Sequence, residues 1–303
     1  MIYTITLNPS LDYHVYLDEL ESGTLNIAKQ TVLLAGGKGI NVSTMLTNLK
    51  HKTVALGFLA GKIGKKVTEL LDEMHVCHDF IFLKEGETRI NVKVHAKQET
   101  EINGNGLAVT AADLDQLIAK ISLLKKDDFV IFSGSIPGGM NSATYQDILE
   151  RILDLQALVI VDARGELLLK CLPYKPFLIK PNRLELGELF HNSLQSEMDI
   201  VSCALSLQEQ GARNVLVSLG ADGAFLLAEN KGQYWLKAPP GQRVNSIGSG
   251  DAMIAGFLSG FLETKGDYEY ALKKAVYTGS ASAFVRGLAS KSEVEQLIRA
   301  MDR

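Results

Sequence analysis

Cysteine is scarce in this chain, with Cys77, Cys171 and Cys203 the only three in 303 residues. An odd number at wide spacing fits free thiols in a reducing compartment better than disulfides, and a cytoplasmic location is expected. His75 and His78 flank Cys77, but no second pair of ligands follows nearby, and the trio reads as structural before it reads as zinc. No run approaches the roughly 18 apolar residues of a membrane span, and the opening M-I-Y-T-I-T-L-N-P lacks a charged leader. Acidic and basic residues nearly balance, at 35 and 31, which leaves no basic footprint for nucleic acid. Low-complexity tracts and internal repeats are missing too. So are G-x-x-x-x-G-K-[S/T], H-R-D and D-F-G, which sets aside Walker-type phosphate loops and protein kinases. Neither Gly104-Asn105-Gly106 nor Gly248-Ser249-Gly250 completes G-x-G-x-x-G after an N-terminal strand, which disfavours a dinucleotide-binding dehydrogenase.

What the chain does have is glycine, 27 residues of it, and 46% apolar residues, enough to bury a large core. Its most informative stretch is N-S-I-G-S-G-D-A-M-I-A-G, from Asn245 to Gly256. Gly248 and Gly250 allow a tight turn, and a helix starting near Asp251 would aim its amides and positive dipole end into that turn. Such a nest suits a phosphate. An acidic residue within it repels phosphate, so Asp251 is better explained as a base that deprotonates an acceptor hydroxyl. An ordinary helix start capped by Ser249 and Asp251 is the alternative.

Apolar runs at 129–133, 158–162, 177–180 and 214–219 read as buried strands, with helical patterns at 141–154, 183–190 and 197–210. This alternation predicts a doubly wound α/β fold with a mostly parallel sheet. Polar or glycine residues close those runs: Gly134 and Ser135, Asp162 and Arg164, Lys180 and Asn182, Ser218 and Gly220. Ligands bind beyond the carboxyl ends of such strands, so these positions are expected to share one crevice. Residues 12–35 and 87–105 break the alternation with β-rich stretches and would form a small separate sheet.

Gly248-Ser249-Gly250-Asp251 resembles the carboxy-terminal signature of the ribokinase-like (PfkB) sugar kinases. Gly36-Gly37-Lys38-Gly39-Ile40-Asn41-Val42 resembles their amino-terminal signature, and T-L-N-P-S-L-D from Thr6 resembles the hexose-phosphate branch. The resemblance continues along essentially the whole chain. T-R-I-N-V-K from Thr88 and E-T-E-I-N-G from Glu99 look most like the members that act on fructose 1-phosphate, with those acting on tagatose 6-phosphate next. The resemblance implies a three-layer α/β/α sandwich made of residues 1–11, 36–86 and 106–303. Residues 12–35 and 87–105 would be a β-lid that covers the sugar and joins a homodimer.

Several residues acquire expected roles. Lys38 and Arg89 offer a cation and a planar fork for the phosphate already on the sugar, while Asp12 and Asn41 suit sugar hydroxyls and Gly37 lies between them. Ser135, in S-G-S-I-P-G-G, is similar to another sugar-side position, although a Pro-Gly loop explains it nearly as well. One departure stands out: related chains often carry Arg in an L-N-R-A-like run, where this one reads Leu25-Asn26-Ile27-Ala28-Lys29. Lys180 and Asn182 begin the N-x-x-E element, and Asn182 with Glu185 would orient waters around Mg²⁺ on ATP, or else simply cap a helix. Ser218, Gly220, Asp222 and Gly223 resemble the family's nucleotide turn. Gly279 and Ser282 would flank the adenine, or serve close helix packing. A monovalent cation such as K⁺ near 245–247 and 284–287 is implied by resemblance alone.

The reading is an ATP-dependent ketohexose-phosphate kinase, with fructose 1-phosphate the first expected substrate and tagatose 6-phosphate the second. Asp251 would be the base, and the amides of Gly248, Ser249 and Gly250 would hold the transferring phosphoryl oxygens. A non-catalytic sugar-phosphate sensor on the same scaffold is the alternative of a different class.

Overall fold

The computed structural model describes residues 1–244 and 248–302. The strands are β1 (Ile2–Thr6), β2 (Ser10–Tyr16), β3 (Gln30–Gly36), β4 (Thr53–Ala60), β5 (Ile81–Leu83), β6 (Arg89–His95), β7 (Thr100–Asn103), β8 (Phe129–Ser133), β9 (Leu158–Asp162), β10 (Leu178–Ile179), β11 (Asn214–Ser218), β12 (Ala224–Leu227) and β13 (Gln233–Leu236). The helices are α1 (Lys38–Asn48), α2 (Gly61–Glu73), α3 (Ala111–Ile121), α4 (Thr144–Ile152), α5 (Gly165–Leu169), α6 (Arg183–Leu189), α7 (Glu197–Glu209), α8 (Ser249–Thr264), α9 (Tyr268–Phe284) and α10 (Lys291–Met301). None of the described helices is long and apolar enough to cross a membrane.

Among the described residues, nine strands form one sheet in the order β13-β12-β11-β10-β9-β8-β1-β4-β5. Every pairing from β11 to β5 is parallel, and β12 and β13 add an antiparallel edge. A parallel sheet needs both faces covered, and alternate strand residues supply the two cores. Ile5, Phe132, Val161 and Val215 pack against α3, α4, α6 and α7 on one side. Ile131, Ile160 and Leu216 pack against α1, α8 and α9 on the other. The layers are therefore helix, sheet, helix.

Two expected elements come out shorter. The strand at 177–180 keeps only Leu178–Ile179, because Pro181 has no N–H to continue a ladder. The helix at 141–154 starts at Thr144 after an Asn141 turn, in which the Ala143 amide donates to Asn141 Oδ1 at 2.8 Å.

A separate four-stranded sheet has the order β3-β2-β6-β7. It takes in Ser10 and Leu11 and closes at Gly36, slightly beyond the stretches expected from the sequence. Its register sets Asp12 opposite Asn91, Asn91 opposite Asn103, and Lys93 between His14 and Glu101. Since strand side chains alternate, these polar residues share one face, while Leu11, Tyr13, Ile90, Val92 and Ile102 share the other.

Candidate active site

A cleft of about 900 Å³ runs over the carboxyl ends of the parallel strands and under the polar face of the small sheet. At its centre stand two acids and two cations. Asp162 is the last residue of β9, Lys180 follows β10, Lys38 opens α1, and Asp251 lies in the first turn of α8. Lys38 Nζ donates to Asp162 Oδ2 at 3.0 Å, and Lys180 Nζ lies 3.4 Å from Asp162 Oδ1. Asn41 donates its side-chain amide to Asp251 Oδ2 at 2.8 Å.

Position decides how these acids titrate. Burial raises the Asp251 carboxyl, the neighbouring Asp162 charge adds to it, and together they push it up to about 6 against the opposing pull of Lys38, Asn41 and Lys180. Asp162 goes the other way: burial disfavours its charge, but Lys180 and Lys38 outweigh that and hold it below the usual carboxylate range. Burial likewise works against the Lys38 ammonium, yet Asp162 and Asp251 keep its pKa above the ordinary lysine value. One acid is locked as an anion and the other is poised near neutrality, the separation that acid–base chemistry uses.

Gly248 makes the entry to α8 feasible, since it is the N-cap with φ 79, a left-handed conformation. Gly248, Ser249 and Gly250 all line the cleft beside Asp251. The first amides of a helix have no intrahelical acceptors, so this end presents donors and a positive dipole to an anion.

On the small-sheet side, buried Asp12 accepts from Ser10 Oγ at 2.6 Å and Asn91 Nδ2 at 3.0 Å. Arg89 turns its fork onto backbone, donating to the carbonyls of Asn8 at 2.9 Å and Pro9 at 3.4 Å. Ser135 accepts from Asn8 Nδ2 at 3.3 Å, and Gly37 caps α1. All four line the same cleft as Asn41. Lys38 and Arg89, both expected on the phosphate already on the sugar, line this one cleft, with the Lys38 ammonium on buried Asp162.

At the other end, Asn182 and Glu185 form a capping box at the start of α6. Asn182 Oδ1 accepts from the Glu185 amide at 2.8 Å, and Glu185 Oε2 accepts from the Asn182 amide at 2.9 Å. Arg164 Nε donates to Glu185 Oε1 at 2.5 Å. Among the described residues no three His, Cys, Asp or Glu side chains cluster as a metal cage, and His78 is engaged with Asp72 at 3.1 Å. The oxygens of Asp162, Asn182 and Glu185 nevertheless line the cleft. They fit an ion such as Mg²⁺ that arrives on nucleotide phosphates and keeps its waters.

The remaining nucleotide candidates divide. Ser218 lines the cleft, its amide bonded to the Pro181 carbonyl at 3.1 Å. Gly220 and Asp222 form a short 3₁₀ turn beyond it, with Asp222 paired to Arg183 at 3.1 Å. Gly223 serves the hairpin, since a Cβ there would stand 1.9 Å from the Leu236 carbonyl oxygen. Gly279 and Ser282 belong to helix packing and not to the cleft wall. A Cβ on Gly279 would meet Met253 at 2.5 Å, and fully buried Ser282 accepts from the Ala289 amide at 3.2 Å. The proposed cation position at 245–247 lies outside the described residues.

Residues 6–295 match the pfkB family carbohydrate kinases. The chain belongs to this family. Among relatives of this pfkB kinase, the 1-phosphofructokinase of Bacillus subtilis is 41% identical over 298 residues, 98% of this chain and 97% of that protein. The D-tagatose-1-phosphate kinase of Bacillus licheniformis is 37% identical, with 98% and 97% covered. A crystal structure of phosphofructokinase-2 from Escherichia coli in complex with potassium superposes at TM-score 0.92, with 26% identity and 100% and 99% of the chains covered. The ribokinase-like three-layer architecture expected from the motifs is the one observed.

Within the pfkB kinase, sequence reasoning recognised Asp162 and Arg164 only as polar strand ends and assigned no role to Asn91 or Lys93. The signal for the last two was present. In R-I-N-V-K the period-2 rule sets Arg89, Asn91 and Lys93 on one face.

Proposed function

We propose that this pfkB kinase transfers the γ-phosphoryl group of ATP to fructose 1-phosphate, giving fructose 1,6-bisphosphate and ADP. The observation that carries the reading is buried Asp251, held at about 6 at the start of α8 and oriented by Asn41. Above that pH it accepts the proton of the sugar's free primary hydroxyl as the new O–P bond forms and the bond to the departing ADP oxygen breaks. Lys38 and Lys180 flank it and stabilise charge that moves onto the phosphoryl oxygens, as do the amides at the start of α8. Asp162, Asn182 and Glu185 would hold a Mg²⁺ ion that comes with the nucleotide, and that ion would add charge neutralisation on its phosphates. Catalysis is then positioning and electrostatics. A potassium ion near 284–287, a lid role for the small sheet, a homodimer and a cytoplasmic location complete the proposal.

The Bacillus licheniformis relative, a D-tagatose-1-phosphate kinase, supports a second reading in which the sugar carries its phosphate on carbon 1. The alternative sugar is therefore tagatose 1-phosphate in place of tagatose 6-phosphate. A sensor has no use for a buried base, which disfavours that class.

Coupled ADP release over fructose 1-phosphate, fructose 6-phosphate, tagatose 1-phosphate and tagatose 6-phosphate tests the assignment. The highest kcat/KM is expected with fructose 1-phosphate. Higher kcat/KM with tagatose 1-phosphate would promote the second reading, and no turnover on any of the four would restore the sensor.

A further inference from the structure

Five cations line the cleft among the described residues: Lys38, Arg89, Lys93, Arg164 and Lys180. Their partners differ in one respect that matters for binding an anion. Lys38 and Lys180 rest on Asp162, whose side chain is 2% exposed, and Arg164 rests on Glu185, 8% exposed. Arg89 rests on backbone carbonyls. None of these partners can swing away. Lys93 is different: its own side chain is buried, but its partner Glu101, 2.6 Å away, is 46% exposed and sits on the edge strand β7. The cation is fixed and the anion is not. An exposed carboxylate loses little when its ion pair opens, and a phosphate dianion offers the lysine more charge and more acceptors than a carboxylate.

The register adds direction. Ser10 pairs with Gly36, next to α1 and Asn41, so β2 runs away from Asp251 as its numbers rise. Asp12 and Asn91 are level with each other, and Lys93 is two residues further on the same face, about 7 Å along the strand. A sugar held by Asp12 and Asn91 with one end toward Asp251 thus has its other end at Lys93. His14, across from Lys93, is engaged with His95 at 2.9 Å, which leaves the ammonium as the charged donor there.

We infer that Lys93 binds the phosphate the sugar already carries, and that Glu101 occupies its place until the substrate displaces it. The inference rests on the sugar-phosphate kinase reading and supplies the phosphate-reading residue that neither Lys38 nor Ile27 provides.

Calorimetric binding of fructose 1-phosphate to the full-length protein, with a non-hydrolysable ATP analogue as control, tests it. Lys93→Met should weaken sugar-phosphate binding about 10–100-fold, the loss of one charge-assisted contact, with nucleotide affinity unchanged. Glu101→Gln leaves Lys93 unpaired and should tighten sugar-phosphate binding several-fold. Lys93→Met within twofold of wild type overturns the inference. Should that variant fail to fold, Glu101→Gln decides alone, and unchanged or weaker binding overturns it. Wild type that binds none of the four sugar phosphates overturns the substrate reading itself, and the inference with it.

Discussion

Asn41 and Asp251, 210 residues apart in the chain, meet at 2.8 Å where α1 and α8 converge on the cleft. The amide donates and the carboxylate accepts, so the acid proposed as the base is aimed by a neighbour that cannot itself take a proton. Replacing Asp251 with Asn removes proton acceptance and keeps the volume. The kcat should fall about 10²–10⁴-fold with nucleotide affinity retained. A variant that keeps half of the wild-type kcat would remove Asp251 from the mechanism.

The same substitution has a stability consequence of opposite sign. Asp251 is raised to about 6 in the folded protein, against about 3.9 for an unfolded Asp. Below about pH 4 both states are protonated and the burial costs nothing extra. Between about pH 4 and 6 the unfolded chain ionises while the folded carboxyl resists, so the native protein loses up to about 3 kcal/mol across that window, and above 6 the loss stays constant. Asp251→Asn should therefore melt higher than wild type at pH 8, with the gap closing toward pH 4. Equal melting temperatures at pH 8 would show that the carboxylate is not strained by burial.

The acidic limb of kcat/KM should follow the same group, falling as pH drops through about 6. Lys38→Met removes a cation that favours the Asp251 carboxylate, and Asn41→Ala removes a hydrogen bond that does the same. Both should move the limb to higher pH and lower kcat, with nucleotide KM little changed. A limb that stays put in both variants would mean that another group is titrating.

How much of this was legible in the sequence depended on whether the information is local. The G-S-G-D turn and the strand ends at Asp162 and Lys180 are local patterns, and the elements around them came out within a few residues. Pairings between distant residues are not local. Nothing in the sequence says that Lys38 reaches Asp162 across 124 positions, a contact that sets its ammonium beside Asp251 in the cleft. Gly279 and Gly223 illustrate a different limit, because a glycine needed for backbone approach and a glycine needed for ligand approach look identical in one sequence.

Arg89 is placed for two tasks, one structural and one toward the substrate. Its fork binds the carbonyls of Asn8 and Pro9, which pins the crossing from β1 to β2, and it lines the cleft beneath the small sheet, where the sugar is proposed to bind. Arg89→Ala should raise KM for the sugar phosphate about 10–100-fold with KM for ATP unchanged, and should cost about 1 kcal/mol of stability. Arg89→Lys should behave much the same, since an ammonium cannot span two carbonyls and an anion in one plane. Equal rises in both KM values would reduce Arg89 to a structural clamp.

The apolar face of the small sheet supplies the last prediction. Helix α2 covers part of it, burying Leu11 and Ala35 against Val67 and Leu71. Beyond that, Leu33, Tyr13, Val92 and Ile102 run in register across all four strands. Leu33 is 37% exposed, Ile102 is 61% exposed, and adjacent Ile90 is 43% exposed. A row of this kind on a thin sheet with two open edges is covered most simply by its own copy, in a two-fold arrangement where each protomer's Ile102 meets the partner's row. Two side chains are lost per dimer when Ile102 becomes Glu. At about 1.5–3 kcal/mol for each buried isoleucine, the association should weaken by about 3–6 kcal/mol. Light scattering at micromolar concentration should then report a dimer for wild type and a monomer for Ile102→Glu. A monomeric wild type disposes of the dimer, and a dimer indifferent to the charge moves the interface off this face.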